Sequence, residues 1–370
     1  MKTGIKLMQK CLIVVMVLLL MPLLLASQTF SEKREQSRSF RLKAGALVQI
    51  SNKYGNVYIM NWDKDSVRVD VSISVQSKQP TKMMKILSSI DCEMVSSPSY
   101  LSARTVFHDN SATFWKDVVA YAGKVVSTSN NLQINYTVYM PSTNQLKIDN
   151  KFGNIYLDNQ KGRADLTLSN GDLQARDFTG DLKLNLEFGT ANLQQADEAS
   201  LNINYSDLFA QKIGKLTLVS RSSTIDMEEV GSLDVESVRD KITLKNCNSV
   251  TGDASFTRLR IGVLGTVCSL TTKYGELRIN EVPKSFLNIF VKAEYTDLVF
   301  SVSPQASYAL DLLYDAKTAL SITPSIDNQL KKETINAKYS TIKANGQIGK
   351  SDGSQITLTA KAGSVALMNK

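Results

Sequence analysis

Four aspartates, Asp165, Asp172, Asp177 and Asp181, fall close together in the chain. Glycoside hydrolysis needs two carboxylates at a defined separation, so this is the first cluster with possible chemistry. The flanking sequence argues against it. Such enzymes build a cleft from long loops on a repetitive rod, whereas the units here are short and nearly constant. Asp and Asn at such positions have an ordinary role in turns, and no catalytic residue is assigned. The chain has one histidine, His108, which excludes multi-His metal sites and makes any Ser/His/Asp triad depend on that residue. Cys92, Cys247 and Cys268 follow the N-terminal Cys11. Their wide spacing without CxxC argues against a disulfide framework or zinc site. At most one pair could form, and buried unreactive thiols are expected. A Gly-Gly-x-Gly-x-Asp calcium array is absent. No cofactor and no metal are expected.

Aromatic residues form two further groups. Phe107, His108, Phe114, Trp115 and Tyr121 crowd an insertion over residues 107–130. The expectation is that these rings fold over the end of the repeat array. The alternative is that Phe114, Trp115 and Tyr121 contact a sugar or protein partner. A second group precedes recurrent glycines: Tyr54-Gly55, Phe152-Gly153, Phe188-Gly189 and Tyr274-Gly275. Each glycine reads as a corner residue that accepts positive φ. The ring before it shares the parity of buried residues and is expected in an interior ladder.

Positioning falls to a short repeat. Asn52 to Val57 and Asn150 to Ile155 are near-duplicates, and Thr272 to Leu277 repeats them. Marks at Gly153, Gly171, Gly189, Ser206, Ser223, Asp240, Thr257, Gly275 and Thr296 are spaced 18, 18, 17, 17, 17, 17, 18 and 21 residues apart. Apolar residues alternate before each mark (Leu182, Leu184, Leu186) and after it (Ile225, Met227). Alternation means strands with one buried face, and a fixed short period signals a solenoid. The expected fold is an all-β, single-stranded parallel β-solenoid over residues 141–370. Nine units at about 4.8 Å per strand give a rod roughly 40 Å long. Residues 38–140 read as a β-rich N-terminal region with a short helix over about 81–90, from Met83, Ile86, Leu87 and Ile90. Residues 303–335 are poorly patterned.

Residues 1–27 have a basic start (Lys2, Lys6, Lys10), an apolar run from Leu12 to Leu25 and small residues at Ala26-Ser27. This is the layout of a secretory signal peptide, and the run is short for a membrane span. Its cleavage lowers the formal charge of +8 by three. The remaining charges are interspersed, so nucleic acid is not an expected partner, nor is a stable membrane span.

The signal-like start, the Tyr54-Gly55-Asn56-Val57 unit, a short helix, and a strand ending Met140-Pro141 before Phe152-Gly153-Asn154-Ile155 together resemble the bacterial putative-adhesin family with a β-solenoid, GIN-type adhesin head. The resemblance covers residues 38–370. It implies an exported envelope protein of a Gram-negative bacterium, in the periplasm or at the cell surface, and supplies no catalytic motif. The expected function is non-catalytic binding or structure, adhesin-like, with a cell-surface glycan or an envelope protein as partner. The alternatives are a polysaccharide-active envelope enzyme and a periplasmic scaffold without an external ligand.

Overall fold

The computed structural model describes residues 29–109, 111–122, 131–336, 340–350 and 353–369. The signal-peptide segment, residues 1–27, lies outside them. The described residues fall into two compact units: one within 29–36, 72–91 and 106–134, the other within 37–71, 92–105 and 135–369.

Twenty-four strands run through the described residues, nearly all in parallel pairs. The first seven are β1 (Phe30–Phe40), β2 (Leu47–Lys53), β3 (Val57–Asn61), β4 (Val67–Ser77), β5 (Ile90–Ser97), β6 (Tyr100–Phe107) and β7 (Asn131–Met140). Next come β8 (Gln145–Lys151), β9 (Ile155–Leu157), β10 (Ala164–Ser169), β11 (Leu173–Phe178) and β12 (Leu182–Glu187). Five long strands follow: β13 (Thr190–Asn204), β14 (Asp207–Arg221), β15 (Thr224–Val238), β16 (Lys241–Ser255) and β17 (Arg258–Lys273). The rest are β18 (Glu276–Val282), β19 (Asn288–Val302), β20 (Tyr308–Asp315), β21 (Thr318–Ile322), β22 (Lys331–Asn336), β23 (Thr341–Ile348) and β24 (Gln355–Asn369).

From β8 to β19 in the larger unit, each strand pairs with its counterpart one repeat away. β13, β14, β15 and β16 are bonded in parallel without slippage, so that Leu201, Leu218 and Val235 align, as do Ala191, Leu208, Ile225 and Ile242. All of these are buried. Buried positions in β13 fall at 191, 193, 196, 199, 201 and 203. Steps of two are straight strand; steps of three carry two exposed residues over a bend and return the next side chain to the interior. Each buried Leu or Ile contributes about 1.5–3 kcal/mol, and in-register stacking multiplies that along the array.

Chain order and spatial order differ at both ends. β2 and β3 pair with β8 and β9, joining Asn52 to Asn150 and Val57 to Ile155. β24 pairs with β19 on one side and with β20 and β21 on the other. The C-terminal strand is thus inserted before segments that precede it in sequence. This explains the poor patterning of 303–335, where a sequential repeat cannot be followed. There the antiparallel pairs β20–β23 and β22–β23 replace the parallel pattern.

In the smaller unit a helix spans Pro80–Ser88 and buries Met83, Ile86 and Leu87. Proline near its start lacks an N–H that would have no partner there. The helix stops where Ser89 N–H reaches the carbonyls of Lys85 and Ile86, so Ile90 opens β5 instead of extending the stripe. A second helix, Ala112–Ala122, has no counterpart in the sequence reading, because its Thr, Phe, Trp, Val and Tyr are weak helix formers. Ser111 Oγ accepts the Phe114 N–H at its start, 3.3 Å away.

Candidate binding groove

The residue before each mark, not the glycine, takes the left-handed conformation: φ is 67° at Tyr54, 58° at Phe152, 54° at Phe188 and 53° at Tyr274. At the marks that carry it, the glycine leaves room for the neighbouring backbone. A Cβ on Gly153 would lie 2.0 Å from the Gly55 carbonyl oxygen, on Gly189 1.9 Å from that of Gly171, and on Gly275 2.1 Å from that of Thr257. The left-handed residue turns its side chain out of the alternation. The rings therefore stand outside, 46% exposed at Phe152 and 52% at Phe188. This corrects the expected interior ladder; Tyr54 is buried. The rings stack on one another, Tyr54 on Phe152 (5.4 Å), Phe188 on Tyr205 (5.3 Å) and Tyr274 on Tyr295 (5.0 Å). Each stack contributes about 0.5–1.5 kcal/mol, which offsets much of the roughly 1–2 kcal/mol of left-handed strain.

Where Ser, Asp or Thr replaces the glycine, a polar spine forms. Gly189 N–H donates to Ser206 Oγ (3.2 Å), Ser206 N–H to Ser223 Oγ (3.3 Å), Ser223 N–H to Asp240 Oδ1 (2.8 Å) and Asp240 N–H to Thr257 Oγ1 (3.3 Å). The buried Asp240 carboxylate also accepts the hydroxyls of Ser220 and Ser237, each at 2.6 Å. These bonds satisfy a charge that burial would otherwise penalise heavily.

Asp172 belongs to a second ladder. Asn154 N–H donates to Asn56 Oδ1 (2.9 Å), Asp172 N–H to Asn154 Oδ1 (2.9 Å) and Thr190 N–H to Asp172 Oδ1 (3.0 Å). Asp165 lies on β10 and Asp177 on β11, while Asp181 precedes β12. The Asp177 N–H donates to Asn159 Oδ1 at 3.4 Å.

The groove runs over the strands that follow the marks. It has a volume of about 1260 Å³ and crosses β3, β9, β11, β13, β14, β15 and β16. One wall is the in-register column Tyr156, Gln174, Asn192, Phe209, Asp226 and Thr243. Tyr156 stacks on Tyr58 at 4.9 Å, and Phe209 is 43% exposed. The other wall is Asp158, Arg176, Gln194, Gln211, Glu228 and Lys245, standing where the chain bends and the ladder skips a residue. Its charges are neutralised along the wall: Arg176 lies 4.0 Å from Asp158, and Lys245 2.6 Å from Glu228. Amides, single carboxylates and two aromatic rings thus alternate along an open trough. The sequence carries this signal at the third position past each mark, where Tyr156, Gln174, Asn192, Phe209, Asp226 and Thr243 stand.

Beyond the groove, Glu276 accepts hydrogen bonds from Arg278 Nε (2.9 Å) and Arg260 Nη2 (3.2 Å), with Arg258 Nε at 3.2 Å. Partial burial pushes its carboxyl up, but the bonds from Arg278 and Arg260 outweigh this and hold it below the usual carboxylate range. In the insertion, Phe107, Phe114 and Trp115 form one cluster with centroids 5.3–6.3 Å apart, and Phe114 is 2% exposed. Tyr121 sits on the same helix; its side chain lies outside the described residues. His108 is largely exposed, 4.0 Å from Asp91. Among the described residues no His/Cys/Asp/Glu group could hold a metal, and no helix is long and apolar enough to cross a membrane.

No family model and no curated protein matches the chain. Solved structures with similarity include a "putative cell adhesion protein" from Clostridium sporogenes (10% identity, 92% of this chain and 100% of that one, TM-score 0.21). A "putative adhesin" from Bacteroides fragilis matches at 12% identity over 73% and 98%, with a TM-score of 0.31. A "putative lipid binding protein" from Parabacteroides distasonis matches at 9% over 72% and 92%, with a TM-score of 0.35.

Proposed function

We propose that the chain is an exported, non-catalytic β-solenoid of the Gram-negative cell envelope that binds an extended glycan along the groove. The observation that carries this reading is a continuous trough lined by Tyr156, Gln174, Asn192, Phe209 and Asp226 at one residue per strand. Strands repeat every 4.8 Å or so, close to the rise of one sugar in an extended polysaccharide. A column of amides and carboxylates can therefore meet successive sugars in equivalent ways. Exposed rings supply flat apolar faces for sugar C–H groups. The Asp172 carboxylate bonded to the Thr190 N–H supports a turn role over an acid–base one, and hence binding over cleavage.

Affinity electrophoresis through gels containing hydroxyethyl cellulose, xylan or glycol chitin tests the reading. Retardation of the wild type by one of them, reduced in Phe209→Ala, is expected; identical mobility of the two proteins in all three gels would overturn it. Protease treatment of intact and lysed cells separates the two envelope locations. Digestion on intact cells places the groove at the surface, and protection until lysis places it in the periplasm.

A further inference from the structure

The outward aromatic column is interrupted. Between Tyr205 and Phe256 its positions hold Ser222 and Arg239, at φ 52° and 62°. Tyr205 stacks on Phe188 with an interplanar angle of 11°. Its other face looks toward Ser222, a side chain too short to cover a ring. Tyr205 is 49% exposed. A separate cavity of about 430 Å³ opens beside that face, lined by Tyr205, Asn202, Asn204, Arg221, Glu187 and Glu236 among others. Asn204 Nδ2 donates to Asn202 Oδ1 at 2.9 Å, which orients both amides. The side chains of Glu187, Arg221 and Glu236 enter no ion pair or hydrogen bond among the described residues.

We propose that this break in the column is a saccharide subsite, distinct from the long groove, in which one pyranose ring stacks on the open face of Tyr205. The cavity lies in the size range of small-ligand sites. Its single free aromatic face suits the apolar C–H face of a sugar. Two carboxylates and a guanidinium, with the Asn204 amide and an Asn202 amide that also donates to Asn185 Oδ1 at 3.4 Å, suit a rim of hydroxyls. An apolar peptide side chain would desolvate those three charges without matching them. Charges of both signs favour a neutral sugar over an acidic one.

The test is saturation-transfer NMR with cellobiose, chitobiose and N-acetyltyrosinamide on the full chain. Transfer to the ring protons of at least one disaccharide is expected to remain in Phe209→Ala, which weakens the long groove, and to fall tenfold or more when Tyr205→Ala or Ser222→Phe is added to it. Ser222→Phe sets a ring over the open face of Tyr205 at a corner equivalent to that of Phe256 (φ 55°), so it decides the matter if Tyr205→Ala fails to fold. No transfer to either sugar overturns the proposal, as does transfer that survives Ser222→Phe. Transfer lost only in Phe209→Ala overturns it in favour of the long groove. Transfer to N-acetyltyrosinamide alone overturns it in favour of a protein partner.

Discussion

At Gly171 a Cβ would meet the Gly153 carbonyl oxygen at 2.1 Å, and that oxygen belongs to backbone that neighbouring strands hold in place. Gly171→Ala should therefore lower unfolding free energy by about 2 kcal/mol or more, read from denaturant midpoints. Arg239→Gly should be neutral or stabilising by up to about 1 kcal/mol, since φ is 62° there. The contrast separates the position that needs to be small at the Gly153–Gly171 corners from the one that needs to be left-handed. The letters alone do not reveal this. Phe and Tyr are poor candidates for positive φ, so the parity of Phe152 and Phe188 pointed inward while their backbone turns them out. Burial is also decisive for the thiols. It pushes Cys247 up to about 12, and Cys268 higher still. A thiol pKa raised above its unfolded value, about 8.5, contributes stability that is intact below that pH and lost as pH rises toward 12. Both thiols should resist iodoacetamide at pH 8 in the native protein and react on unfolding; native labelling would contradict their burial.

Elements owe their positions to polar residues that close each corner. Asp315 Oδ1 receives the N–H of Ala362 (3.1 Å) and Lys317 (3.2 Å) and the hydroxyl of Thr318 (2.8 Å), tying β20, β21 and β24 together. Burial pushes this carboxyl up, but the three bonds pull it below its ordinary value. A depressed carboxyl stabilises the fold above its unfolded value near 3.9 and loses that contribution as pH falls below it. The melting temperature of Asp315→Asn should trail the wild type at pH 6, and the gap should narrow as pH falls below about 4. Asp240→Ala should be harsher, losing about 2–4 kcal/mol as two hydroxyls and two N–H groups lose their acceptor. Asp240→Ser should recover part of the loss, because Ser206 and Ser223 already fill the same position in the spine. The strand period and the helix at Pro80–Ser88 are legible from alternation and from helical spacing. The helix at Ala112–Ala122 is not, since its Thr, Phe, Trp, Val and Tyr favour strands by propensity.

Across the larger unit, stacking converts sequence positions into columns. The duplicate motifs at Asn52 and Asn150 are sequence evidence of this, for they lie 98 residues apart in the chain and side by side in space. Asn150 Nδ2 donates to both Gly55 O (3.1 Å) and Gly153 O (2.8 Å), which is why the same letters recur. The inserted β24 leaves no such trace, because its neighbours β19 and β20 are not adjacent to it in the chain. Removing residues 355–370 should expose β19 and β20 together and unfold the C-terminal end, seen as new protease cuts between residues 288 and 322. The claim on which the functional reading turns is that the groove meets one sugar per strand. The most direct measurement is calorimetric titration with cello- and chito-oligosaccharides of increasing length. Affinity should rise with each added sugar and level off at about six or seven, the number of strands the trough crosses, with Phe209→Ala weakening the longer members. Affinity independent of length, or undiminished in Phe209→Ala, would contradict a groove that reads an extended chain.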